Sequence, residues 1–195
     1  MKNLKTQKFL SQLYDTLNMI AWDRTLPQAD ILLSKKNRNQ KSWQTFFENG
    51  LVIEIDYISL MDELTDIEVM IENMLHEMVH IYAQCNNIKD TTRQGRYHNL
   101  KFRLLAEEHG LLVVANKSTG TDVVGIETSI LESVISKFPT IEREMLNARK
   151  ELGLFIEDIV YFYKCPLCHT EIKCDKNTKI LCGYCYVEME QIMNE

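Results

Sequence analysis

The sequence predicts an α+β protein: one mixed core, then a helical connector, then a small cysteine module. Three observations carry that prediction. In the first two thirds of the chain, segments with apolar residues at helical spacing flank several short β-branched runs. A purely helical pattern follows from about Ser129 to Gly153, interrupted by Pro139. The last fifth of the chain then holds Cys165, Cys168, Cys174, Cys182 and Cys185, leaving Cys85 alone upstream. The expected boundaries are 1–128 for the core, 129–157 for the connector and 158–195 for the module.

Taken in order, residues 4–20 place Phe9, Leu10, Leu13, Leu17 and Ile20 on one helical face. "ADILLS" and "SWQTFF" read as two strands of a hairpin, joined by the basic connection "KKNRNQK". "NGLVIEID" supplies a turn and a third strand. In "LTDIEVMIENMLHEMVHIYAQC", Ile67, Met70, Ile71, Met74, Leu75 and Met78 form an apolar stripe, with Thr65 or Asp66 as N-cap. The polar loop "NNIKDTTRQGR" leads to a second helix through "YHNLKFRLLAEEHG", ended by Gly110. "LLVVAN" reads as a short strand or as chain packed on the core.

Composition narrows the function classes. A chain of 195 residues with 45% hydrophobic and 26% charged residues is that of a folded soluble protein. Its net charge of −6 argues against a surface built to coat nucleic acid. No apolar run is long enough for a bilayer, and the polar, basic start lacks the apolar core of a signal peptide, so a cytoplasmic location is expected. In that setting six cysteines stay reduced, which favours metal ligation over disulfides.

The stretch "NMLHEMVHIY" carries the chemistry. His76 and His80 are four residues apart, so on a helix both imidazoles face one ion. Glu77 lies about a hundred degrees round the helix, placed to accept a proton from an activated water rather than to ligate. Catalytic zinc takes three protein ligands, and the residues offer four candidates for the third. They are His98 after the polar loop, then His109, Glu107 and Glu108 at the far end of the following helix. His98 is preferred and His109 ranks second, because only one end of that helix can approach the metal. The bland alternative is two hydrogen-bonded histidines in a half-buried helix. Cys85, at the end of the HExxH helix, reads as a small core residue.

Cys165-Pro-Leu-Cys168 and Cys182-Gly-Tyr-Cys185 are two C-x-x-C knuckles separated by thirteen residues, the pattern of a structural four-thiolate zinc site. Gly183 is expected to ease the second knuckle's backbone. Cys174 and His169 are the competing ligands, and five unrelated buried cysteines are the alternative.

With "MLHEMVHIY", "GRYHNLKF", "EEHGL" and a ribbon opening "YKCPLC", the chain resembles the SprT-like family, which includes the Spartan proteases. Asn99 stands where that family usually has Gly after its third histidine, and no ubiquitin- or clamp-binding tail is present. The resemblance implies a minimal zincin fold, Zn²⁺ held by His76, His80 and His98, Glu77 as catalytic acid/base, and cleavage of DNA-associated proteins. The expectation is therefore a zinc metallopeptidase acting on proteins or peptides in a cleft edged by the third strand, "LVIEID". A second zinc ion is expected on Cys165, Cys168, Cys182 and Cys185. The rival class is a nonproteolytic zinc module that binds DNA or a protein, and the weakest reading is hydrolysis of a non-peptide bond. A DNA contact would draw on Lys35, Lys36, Arg38 and Lys41 or on Arg93, Arg96, Lys101 and Arg103; solvated loop and helix faces explain these charges equally well. Oligomeric state is not legible, and no membrane partner is expected.

Overall fold

Helix α1 (Leu4–Ala21) buries most of the stripe that its sequence pattern marks: Phe9, Leu10, Leu13 and Leu17 are at most 1% exposed, Ile20 is half-buried, and Tyr14 joins the buried face. The architecture comes from a computed structural model describing residues 4–35, 41–47, 50–153, 161–174 and 179–192. These fall into two compact units, Met1–Leu154 and Phe155–Glu195.

In the first unit, β1 (Asp30–Ser34), β2 (Trp43–Phe46) and β3 (Val52–Asp56) form one sheet in the order β1-β3-β2. β1 runs parallel to β3 and β2 runs antiparallel to it. The expected β1–β2 hairpin is thus corrected: β3 lies between them. The physical reason is burial. Ile53 and Ile55 are fully buried, so the most buried strand takes the centre, where both rows of its backbone groups are paired. Of the basic connection, residues 36–40 lie outside the described residues.

A short helix, α2 (Tyr57–Glu63), follows β3 and was not anticipated; Asp56 caps it by accepting from the Ser59 amide at 3.2 Å. Helix α3 (Ile67–Cys85) starts at Asp66, whose side chain accepts from the Glu68 amide at 2.8 Å. Met70, Ile71, Met74, Leu75 and Met78 are fully buried, as the stripe requires. Cys85 is exposed, which corrects its reading as a core residue: the helix's last turn has already left the core.

Two extended pairs, β4 (Thr91–Thr92) and β5 (Tyr97–His98), precede α4 (Leu100–Glu108). The helix therefore does not begin at Tyr97. Asn99 stops it from starting earlier, its Oδ1 accepting from the amides of Lys101 at 2.7 Å and Phe102 at 3.3 Å. Gly110, at φ +87°, follows the helix end as expected. β6 (Leu111–Asn116) pairs antiparallel with β7 (Gly120–Ile126), a strand the sequence pattern did not single out.

Helices α5 (Thr128–Lys137) and α6 (Ile141–Glu151) flank Pro139. They are not a detached connector. Val134, Phe138, Ile141, Met145 and Ala148 join the same buried cluster as α1 and α3. Glu151 closes the arrangement by accepting from the amides of Thr6 at 2.7 Å and Lys5 at 3.2 Å, which satisfies two donors in the first turn of α1. No helix among the described residues is long and apolar enough to cross a membrane.

The second unit is a sheet of β8 (Tyr161–Lys164), β9 (Glu171–Cys174) and β10 (Glu190–Ile192) in the order β10-β8-β9. Its buried residues are Tyr163, Cys165, Cys182 and Met189.

Candidate metal centres

His76 and His80 project from one face of α3, and their Nε2 atoms lie 3.2 Å apart. His98 reaches them from β5, its ring centroid 4.9 Å from that of His76 and 5.2 Å from that of His80. Each of the three offers a nitrogen within 4.8 Å of the others, so they form a group that could hold a metal ion. His98 is delivered by an extended segment ahead of α4, not by the helix itself.

Hydrogen bonds fix which nitrogen faces the centre. His80 Nδ1 donates to Asp90 Oδ2 at 2.5 Å, and His98 Nδ1 donates to the Thr121 carbonyl at 3.1 Å. In the neutral ring this leaves Nε2 without a proton on both side chains. His98 Nε2 is buried with no hydrogen-bond partner among the described residues. His76 Nε2, 3.2 Å from that of His80, either donates to that nitrogen or shares an ion with it. Burial holds His76 well below the usual imidazole range, reinforced by His80 and His98 and then by Lys41. Burial likewise lowers His98, with His80 adding to it. Both rings are kept neutral, the form that ligates metal. Phe102, fully buried, stacks on His98 at 4.1 Å and closes the back of the group.

Glu77 is 6% exposed and points the other way round α3, toward the sheet. Thr45 on β2 donates to its Oε2 at 2.7 Å. Glu77 and His80 both line a cleft of about 610 Å³, whose sheet-side wall includes Trp43, Thr45 and Phe46. The wall belongs to β2, not to β3 as expected, because both edges of β3 are occupied.

The other candidates for the third position lie elsewhere. His109 stacks on Trp22 at 4.3 Å and donates Nδ1–H to the Ala21 carbonyl at 2.7 Å, tying α4's end to α1. Glu107 pairs with Arg103 at 2.9 Å, and Glu108 is exposed. Asn99 has φ −86°, so nothing at this position demands glycine. Asp90, Thr45 and Thr121 were missed by sequence reading. Asp90 lies in a polar loop with no spacing signature, and the other two act only through folded contacts.

The second group comprises Cys165, Cys168, Cys182 and Cys185, whose sulfurs all lie within 4.8 Å of one another. The two knuckles repeat one geometry. The Cys165 amide donates to the Thr170 carbonyl at 2.9 Å and the Cys182 amide to the Val187 carbonyl at 2.8 Å. His169 and Tyr186, each following a knuckle, are left-handed at φ 60° and 55°. Gly183 is not left-handed and a Cβ there would meet nothing, which corrects the role expected for it; Pro166 fills the same place in the first knuckle. Cys174 and His169 are not in the group. A hydrogen bond from Thr170 first of all draws the Cys168 thiol down to about 6, while its bond to Cys168, then burial, pushes Cys185 up to about 12.

Fold and site together define an α+β protein with two side-chain groups that could each hold a metal ion. No family model, curated protein or solved structure matches the chain.

Proposed function

We propose that the chain is a zinc metallopeptidase of the SprT-like type, with His76, His80 and His98 as ligands of the catalytic ion. Glu77 is the proton acceptor, and Cys165, Cys168, Cys182 and Cys185 hold a second, structural zinc ion. The observation that carries this reading is the convergence of three imidazoles around His98 Nε2, a buried nitrogen with no other partner. The spacing fits the ion. Tetrahedral zinc with nitrogen ligands at roughly 2.05 Å separates them by about 3.3 Å, against 3.2 Å between His76 and His80. Four thiolates at roughly 2.3 Å stand about 3.8 Å apart, against 3.6 Å between the sulfurs of Cys168 and Cys182.

When bound, zinc supplies Lewis acidity and lowers the pKa of water to about 7. The chain's own residues do the rest. Glu77 takes the proton of the attacking water and passes it to the leaving amine; Thr45 holds its carboxylate in one orientation. Asp90 keeps His80 in the ligating tautomer. β2 ends the sheet, and its second edge is unpaired among the described residues. An extended peptide adding to that edge lies in the cleft alongside Glu77. This supports proteins or peptides as substrates, and the family resemblance directs the search to DNA-associated proteins.

The test is metal analysis with a protease assay on an unfolded protein and on DNA-binding proteins, with and without single-stranded DNA. Wild type should carry two zinc ions and cut; Glu77→Gln should carry two and lose activity by about 10²–10⁴-fold, the range for general acid–base catalysis. Equal cleavage by both proteins refutes the mechanism.

A further inference from the structure

We infer that Lys41 is a specificity-determining residue that receives a substrate carboxylate on the leaving-amine side of the scissile bond. The inference rests on the peptidase reading above and names the substrate class of that cleft.

Lys41 lines the same cleft as Glu77 and His80. Apart from His80, whose Nδ1 is committed to Asp90, it is the single basic side chain in that lining among the described residues. Its ammonium donates to the Gly95 carbonyl at 3.0 Å, across from the start of β2 to the turn in which Arg93, Gln94 and Gly95 all have positive φ. A neutral carbonyl satisfies one of the three N–H donors of an ammonium. Two remain for an anion, and no carboxylate among the described residues lies within ion-pair distance of Lys41.

For a peptide that adds antiparallel to β2, the strand sets which part of the substrate meets Lys41. Thr45 touches Glu77 and so marks the level of the scissile bond along β2. Lys41 lies four positions earlier, at most about 13 Å away at roughly 3.3 Å per residue. A peptide added antiparallel to β2 runs from Phe46 toward Lys41. Residues after the scissile bond therefore approach the ammonium, within about four positions, while those before it meet Phe46 and Phe47. The carboxylate can be an Asp or Glu side chain or the chain's own C-terminus. A cation this close disfavours Lys or Arg at the same place.

The experiment uses the full-length, zinc-loaded Glu77→Gln protein and labelled peptides. One Glu, with Gln as control, is walked along an otherwise neutral sequence; a second pair ends in a free acid or an amide. Binding is read by fluorescence anisotropy, and wild type gives kcat and KM on the same peptides. The expected result is roughly tenfold tighter binding of the acidic member in one register, the size of a charge-assisted hydrogen bond, appearing in KM more than in kcat. Which pair shows it identifies the side chain or the terminus as the source. Adding Lys41→Met should bring the ratio to about one, Lys41→Arg should keep it, and Lys41→Glu should reverse it. Equal affinity for acidic and neutral peptides in every register, or a preference that survives Lys41→Met, overturns the inference. If wild type cuts none of the peptides, the peptidase reading fails, while the binding ratios still decide the role of Lys41.

Discussion

Asp90 shows how much of the histidine site depends on a residue that never touches the metal position. Its carboxylate accepts from His80 Nδ1 at 2.5 Å, while its backbone carbonyl accepts from the Asn99 amide at 2.9 Å, next to His98. One residue thus links the segments that bring two of the three histidines. Replacing its side chain leaves the backbone bond intact, so Asp90→Ala tests the carboxylate alone. The expected outcome is a 10–100-fold loss of zinc affinity at the histidine site, the usual cost of removing such a partner. Chelator competition should show one zinc ion lost at a concentration that leaves wild type with two. Asp90→Asn, which can still accept the bond, should lose less. The contrast with the ligands explains what was legible at this scale. His76, Glu77 and His80 share one helical turn, so their geometry follows from spacing. Asp90 and Thr45 meet their partners only after loop and sheet have folded, and no local pattern announces them.

At the scale of elements, the turn between β6 and β7 does for His98 what α3 does for the other two. The Thr119 carbonyl accepts from the His98 amide at 2.8 Å and the Thr121 carbonyl from its Nδ1 at 3.1 Å. Gly120 sits between them at φ +86°, and a Cβ there would stand 2.0 Å from the His98 carbonyl oxygen. Gly120→Ala should therefore cost about 1–3 kcal/mol from backbone strain alone, with the clash added, and should push His98 off the site. Thermal unfolding followed by tryptophan fluorescence, with zinc analysis of the folded protein, checks both effects; an unchanged Tm and two retained zinc ions would reject this role. The same hairpin marks where sequence reading ends. α1 and α3 were legible because their apolar residues recur at helical spacing over several turns. β7, "GTDVVGI", has two glycines and one short apolar pair, too little for a strand signal. The β1–β2 pairing was misread because adjacency in sequence favours a hairpin, whereas burial of Ile53 and Ile55 put β3 in the centre.

For the whole molecule the decisive fact is that its two units are held in different ways. The first has a continuous core drawn from α1, α3, the sheet and α4 to α6, and its histidines add little to that core. In the second, two of the four buried residues among those described are Cys165 and Cys182, themselves members of the cysteine group. A core this small offsets little chain entropy, and under the proposed structural zinc site metal binding would supply the remainder, roughly 10–16 kcal/mol in sites of that kind. Cys182→Ala should then lower zinc content from two ions to one and make 161–192 sensitive to protease. Both tryptophans, Trp22 and Trp43, lie in the first unit, so their fluorescence reports that unit alone. Its unfolding free energy should change by less than about 0.5 kcal/mol, the range for a substitution that touches none of its packing. A large drop in that free energy would show that the cysteine unit supports the histidine unit, and the division of labour argued here would have to be abandoned.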